Sequence, residues 1–142
     1  MTDIIDVKNS IKTILLGDAE VSSLVGSKIH VGWLQRPLNL PCITITDTME
    51  NGQVGMLGGE KDEYTSTVQV DVWSGKSPLE RDQIAKAVKA ALGKKANFET
   101  MQSSGFILSS PTIRVLDELD VKPIIYRKSM SFTVLYFTDN YA

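Results

Sequence analysis

Two consecutive stretches decide the fold of this chain: EYTSTVQVDVW at residues 63–73 and SPLERDQIAKAVKAALG at residues 77–93. In the first stretch, β-branched and apolar residues alternate with polar ones, which predicts a strand with one buried and one solvent-facing side. The buried side is expected to carry Tyr64, Ser66, Val68, Val70 and Val72, and the wet side Thr65, Thr67, Gln69, Asp71 and Trp73.

The second stretch begins with a helix start signal, Ser77-Pro78-Leu79-Glu80. Ser77 can accept a hydrogen bond from the Glu80 amide, Glu80 can accept one from the Ser77 amide, and Pro78 suits the first helical position. Apolar residues then recur at helical spacing as far as Leu92, and Gly93 is expected to end the helix. The residues predicted to lie outside are Arg81, Asp82, Lys86 and Lys89.

The same patterns predict the remaining elements. An amphipathic helix follows the stripe from Ile4 to Leu15, capped by Thr2 or Asp3, and a shorter helix runs between Asp18 and Gly26. Further strands are expected at Lys28–Trp33, Cys42–Thr48, Phe106–Asp117 and Ile124–Thr138. The order α-α-β-β-β-α-β-β predicts an α+β domain over residues 1–142, with helices on one face of a mainly antiparallel mixed sheet.

Two connections stand out as candidate contact regions. Met49–Asp62 carries four glycines, Gly52, Gly55, Gly58 and Gly59, among charged residues, which predicts a long flexible loop that orders on binding a partner. Glu118–Pro123 joins the last two strands as a hairpin turn. The last strand is longer than a small domain needs, so we expect it to bend or project and to offer an edge to a neighbour.

Composition excludes several classes of protein. The 142 residues are 42% hydrophobic and 23% charged, as in an ordinary soluble domain, and no stretch suggests a signal peptide or a membrane span. The net charge of −2 provides no basic surface for nucleic acid. One cysteine and one histidine cannot form an intrachain disulfide or a zinc site. We therefore expect no cofactor, no metal and a cytosol-like compartment.

Candidate catalytic residues are few. His30 lies in a predicted strand without an acidic partner in the pattern, and Cys42 is expected to be a buried, unreactive thiol. The glycines before Glu60 do not form a phosphate loop, because the pattern is incomplete and a strand follows. A metal-dependent nuclease is an alternative that would use Asp117, Glu118, Asp120 and Lys122, although a solvated turn explains these residues better.

Motifs along the chain resemble those of the tail-completion and tail-terminator proteins of long-tailed bacteriophages and prophages. In sequence order they are Leu24-Val25-Gly26-Ser27-Lys28-Ile29, Leu40-Pro41-Cys42-Ile43-Thr44-Ile45, Val68-Gln69-Val70-Asp71-Val72-Trp73-Ser74 and Ile84-Ala85-Lys86-Ala87-Val88-Lys89-Ala90-Ala91-Leu92. The motifs are structural, and it is their order that carries the likeness.

The resemblance implies a non-enzymatic virion protein, assembled in the bacterial cytoplasm, that forms a ring, a hexamer, at the head-proximal end of the tail tube. The ring would stop tube growth and join tail to head, so its partners would be its own copies, the tube protein and a head-completion or connector protein. A tube or connector subunit is the alternative. The residues expected to make contacts are Gly52, Gly55, Met56, Leu57, Gly58, Gly59, Glu60, Asp120 and Lys122.

Overall fold

The computed structural model describes residues 3–33, 39–52 and 61–139. Within these ranges the chain forms four helices and six strands, which confirms the α+β class. The helices are α1 (Ile4–Leu16), α2 (Ala19–Val25), α3 (Pro78–Gly93) and α4 (Lys95–Ser103). The strands are β1 (Ile29–Val31), β2 (Cys42–Gly52), β3 (Lys61–Ser74), β4 (Phe106–Leu108), β5 (Thr112–Val115) and β6 (Tyr126–Asp139).

The strands form one mixed sheet in the order β1-β2-β3-β6, and β4 and β5 both pair with β6. The β1–β2 pair is parallel and every other pair is antiparallel. β6 pairs with β3 along one side and with β4 and β5 along the other, so the expectation that the last strand itself supplies the free edge of the sheet is wrong. β1 occupies one edge of the described sheet, and β4 and β5 share the other.

One face of the sheet carries the main hydrophobic core. Residues of five strands point to this face and are buried, in alternation along the longer strands because the side-chain period of a strand is two. They pack against apolar residues of the helices, including Val7 and Ile11 of α1 and Ile84 and Val88 of α3. The sheet residues of this core are Ile29, Ile43, Ile45, Val68, Val70, Val72, Phe106, Met130, Phe132, Val134 and Tyr136.

The helix starts follow the sequence signals with one exception. Asp3 caps α1 in a reciprocal capping box with Asp6, and Ser77 caps α3 by accepting from the Glu80 amide. The Glu80 carboxylate does not complete a second capping box as expected, because it accepts a hydrogen bond from the Ser74 hydroxyl at 2.8 Å. This bond ties the end of β3 to the first turn of α3.

Helix α4 is absent from the predicted order. It follows α3 directly, has no side-chain cap at Lys94, and buries a single residue, Met101. Neither start signal nor apolar stripe therefore marks it in the sequence.

The expected strand over 106–117 is divided into β4 and β5 at Ser109–Pro111. Between Leu108 and Thr112 lie three residues, opposite two residues of β6, and Pro111 has no amide to donate to the ladder. The expected loop over 49–62 is shorter than predicted, because β2 continues to Gly52 and β3 begins at Lys61.

The alternation predicts that the second face of the sheet is exposed to solvent, but part of this face is buried. Trp73 and Asp71 are both buried there. The Arg127 guanidinium lies 4.6 Å from the Trp73 ring centre and donates to Asp71 at 2.9 Å, while the Trp73 indole donates to the Thr44 hydroxyl at 3.0 Å. A cation placed between a ring and a carboxylate satisfies both, which permits this polar cluster to be buried.

Asp18 joins two parts of the helical layer. Its carboxylate caps α2 by accepting from the Glu20 and Val21 amides, and Lys94 at the end of α3 donates to it at 2.8 Å. The hydrogen bond from Lys94, followed by that from the Val21 amide, holds the pKa of Asp18 below its ordinary 3.8, although burial opposes the shift. The charged form of Asp18 is therefore favoured in the folded state.

We expect the contribution of Asp18 to the free energy of unfolding to be complete above about pH 4 and to be lost as pH falls below 3.8 through the folded-state pKa. Asn retains the cap but does not titrate, so Asp18→Asn should lose less stability than wild type between pH 7 and pH 3. Urea unfolding at the two pH values measures this, with Glu99→Gln as the exposed control. An equal loss in wild type and Asp18→Asn would contradict the assignment.

Candidate assembly surface

The connection between β5 and β6, residues 116–125, is attached to the helical layer at its base. Asp117 accepts two hydrogen bonds of 2.6 Å from Nη1 of Arg81 and a third, of 2.8 Å, from the Arg127 amide. Arg81 is 7% exposed, so the prediction that it lies on the solvent-facing side of the helix is wrong. Burial lowers the pKa of Arg81, but its bonds to Asp117 and Asp82 outweigh this and raise it. The guanidinium therefore remains a fixed charge that locates the turn.

Beyond this anchor the surface is apolar. Leu119 is 66% exposed and Val115 is 54% exposed, and three more apolar side chains of the same hairpin are exposed: Ile113, Val121 and Ile124. Asp120 and Lys122, two of the predicted contact residues, are exposed on the same turn. Exposed apolar side chains grouped on one hairpin are typical of a protein interface. Leu119 and Val121 could have been identified from the sequence, because apolar residues are unusual in a polar turn.

The backbone of β5 presents hydrogen-bonding groups to the free edge. The Leu116 amide donates to the Arg127 carbonyl at 2.9 Å, and residues 118 and 125 form a bridge. Because inward and outward groups alternate along an antiparallel strand, Arg114 and Thr112 face β6, whereas Ile113 and Val115 direct their N–H and C=O groups away from it. Among the described strands, β5 pairs with β6 alone.

β1 presents a similar set of groups at the opposite edge. The Lys28 carbonyl and the Gly32 amide bond to Ile43 and Ile45 of β2, so the alternate residues, Ile29 and Val31, direct their backbone groups outward. The Ile29 amide already donates to the Ser27 carbonyl at 2.9 Å. The groups left for a neighbour are the Val31 N–H and C=O and the Ile29 C=O.

The two edges lie at the same level of the sheet. Ile29 pairs with Ile43, which pairs with Val72 of β3. Val115 pairs with Lys128, which also pairs with Val72, so Ile29 and Val115 are both level with Val72. Val31 and Ile113 are related in the same way to Val70 of β3. The sheet directions make β1 and β5 antiparallel to each other.

Gly52, another predicted contact residue, lies at the far end of the sheet. Gly52 is the last residue of β2. The others, Gly55, Met56, Leu57, Gly58, Gly59 and Glu60, lie outside the described residues.

The residues considered for catalysis lie on β1, on β2 and in the β5–β6 connection. Cys42 is buried, and burial raises the pKa of its thiol to about 11. His30 is exposed on β1. Asp117 of the nuclease alternative is bound to Arg81. Across residues 3–33, 39–52 and 61–139, no three His, Cys, Asp or Glu side chains are placed to hold a metal ion. In the same ranges no helix combines the length and apolar character that a membrane crossing requires.

The chain matches one protein family over most of its length. The family model described as tail completion protein gp17 matches residues 9–115, well over half of the chain. Among solved structures, a chain of the virion of a native gene transfer agent particle matches with 15% identity and a TM-score of 0.62, covering 93% of this chain and 95% of that one, which shows a shared fold. No curated protein matches. The chain therefore belongs to the tail completion protein family and is a structural protein of the phage tail, located in the virion.

Proposed function

We propose that this protein is a non-enzymatic tail terminator. Each copy uses one sheet edge to bind the opposite edge of the next copy, and the copies form a ring at the head-proximal end of the tail tube. The ring ends tube polymerisation and provides the surface that joins the head connector. The matched pair of free sheet edges, β1 and β5, carries the proposal.

The contact between copies is an antiparallel strand pair. Val31 of β1 in one copy lies opposite Ile113 of β5 in the next, and Ile29 lies opposite Val115. The Ile113 N–H donates to the Val31 C=O, the Val31 N–H donates to the Ile113 C=O, and the Val115 N–H donates to the Ile29 C=O. In this register the paired residues occupy the same face of the joined sheet, because Ile29 and Val115 share the level of Val72.

The equal level of the two edges favours a closed ring over a filament. Two different edges of one chain make a head-to-tail contact, which gives a ring where the rotation closes and a helical filament where each copy is also displaced along the axis. Pairing β1 with β5 at one level introduces no displacement along the strands. Once the ring closes, every β1 and β5 edge is paired, so lateral growth stops. The resemblance to terminators implies six copies.

The two ends of the proposed ring differ in chemistry, as termination requires. One end carries the apolar β5–β6 turn with Leu119 and Val121, and the other carries the ends of β2 and β3, at Gly52 and Lys61. We assign the β5–β6 turn, including Asp120 and Lys122, to the contact with the tube protein or the connector, because its apolar side chains are exposed in the single chain.

Electron microscopy of purified tail tubes mixed with this protein tests the function. A terminator should appear as a single ring at one end of each tube and should halt elongation when added to polymerising tube protein. Purified protein that itself extends into long tubes would identify a tube subunit instead. Rings that bind heads but not tubes would identify a connector.

A further inference from the structure

A cleft of about 350 Å³ opens between the end of α3, α4 and the break that separates β4 from β5. Its floor is apolar and is formed by Leu92, Met101, Leu108 and Phe132. Phe98, which is 40% exposed, stands at its margin. The cleft is large enough for two or three apolar side chains of a peptide segment.

The rim of the cleft is positively charged. Lys89 and Lys95 line it, and within the described part of the chain neither forms an ion pair. Lys86 and Lys94 lie close in sequence, and residues 83–98 contain no acid. Lys94 forms an ion pair with Asp18, whereas Lys89 and Lys95 can pair with acidic groups of a ligand. An apolar segment flanked by acidic residues would complement this cleft.

The connection between β2 and β3 has this chemistry. Its apolar residues, Val54, Met56 and Leu57, are followed by an acidic stretch containing Glu60, Asp62 and Glu63, with Lys61 as its single cation. This connection also holds most of the contact residues predicted from the sequence.

Strand register places the part of β2 that precedes this connection at the level of the cleft. The break between β4 and β5 lies beside Phe132 and Thr133, which pair with Val68 and Thr67 of β3. At that level β2 carries Asp47 and Met49, beyond the end of β1. In a ring joined through β1 and β5, Asp47 and Met49 of the next copy therefore lie level with the cleft across one missing strand, a gap of about 10 Å between strand axes. The connection follows Gly52, three residues beyond Met49.

We propose that this cleft receives the β2–β3 connection of the next copy, with Met56 and Leu57 on the apolar floor and the acidic residues beside Lys89 and Lys95. This assignment rests on the ring proposed above. It gives the contact between copies a second site beside the strand pair.

A peptide of residues 49–63 labelled with fluorescein tests the cleft by fluorescence anisotropy. The receiving protein is the Val115→Pro variant, in which the ring is open and the cleft free. Peptide binding should saturate, and it should weaken at least about ten-fold when Lys89→Glu and Lys95→Glu are added. Lys12→Glu and Lys76→Glu are the matched control, with the same charge change at two lysines that do not line the cleft, and should leave binding unaltered. Replacing Met56 and Leu57 of the peptide by Ser should also weaken it about ten-fold.

The native mass of the otherwise wild-type protein separates this proposal from the ring itself. Rings in wild type together with peptide binding that Lys89→Glu and Lys95→Glu abolish would support the cleft assignment. Rings in wild type together with no peptide binding would overturn the cleft assignment but not the ring. Equal peptide binding by the variant that carries Lys89→Glu and Lys95→Glu would do the same. Peptide binding by a wild-type protein that stays monomeric would overturn both the ring and the second copy as occupant.

Discussion

Val115→Pro should abolish the ring while leaving the single chain folded. The Val115 amide points away from β6 and, in the proposed contact, donates to the Ile29 carbonyl of the next copy. Proline removes that donor and places its ring carbons where the neighbouring strand must approach. Since each copy in a closed ring makes the same contact, the loss is repeated around the ring. We expect the ring fraction to fall at least about ten-fold at micromolar protein, as measured by native mass spectrometry.

Val115→Thr is the matched control. Threonine has nearly the shape of valine, favours a strand, and keeps the outward N–H. It should retain most of the ring, and circular dichroism should report the same fold for both variants. A ring that survives Val115→Pro unchanged would contradict the strand pairing. An equal loss of ring in both variants would show that the valine side chain, and not the backbone N–H, makes the contact.

Arg81→Met should lower the stability of the fold more than removal of the charge at any exposed ion pair. Arg81 is almost fully buried and makes two bonds of 2.6 Å to Asp117, whose side chain is 20% exposed. Methionine fills much of the same volume but leaves Asp117 without its countercharge. We expect the free energy of unfolding to fall by about 2 kcal/mol and the melting temperature by about 6 °C.

Asp82→Asn provides the comparison for this variant. Asp82 also contacts Arg81, at 3.0 Å, but its side chain is 47% exposed, so water replaces most of the interaction. We expect a loss of about 0.5 kcal/mol or less. Urea unfolding of both variants at pH 7 measures the difference. Equal losses would contradict the view that the Arg81–Asp117 pair is the anchor of the β5–β6 turn.

Periodicity and capping identified most of the fold. The alternation over 63–73 located β3 and its buried valines, and the Ser77 signal located α3 together with its end at Gly93. These signals are local and repeat along the chain, so they can be read without knowing what packs on them. Arg81 and Trp73 were misplaced because their burial depends on Asp117 and Arg127, residues 36 and 54 positions away, respectively.

The candidate surface could be predicted only in part. Asp120 and Lys122 lie on the turn that we assign to the candidate surface, and their role there stays a prediction. The free edge was assigned to the last strand, whereas it belongs to β4 and β5. A strand's neighbours are set by the topology of the whole sheet, and β6 shows no sequence feature that distinguishes a central strand from an edge. The equal level of β1 and β5 follows from the registers of four strand pairs, which no single segment contains.

Disulfide trapping between copies tests the proposed ring most directly. In the double variant Val31→Cys and Ile113→Cys, the two thiols would face each other across the seam at a separation suited to a disulfide, about 5.5 Å between Cα atoms. Cys42 is buried and should remain reduced. Mild oxidation should give a ladder of cross-linked species that ends at one covalently closed mass, whereas Lys76→Cys with Ile113→Cys should give none. A ladder without an end, or monomers alone, would contradict a closed ring joined through β1 and β5.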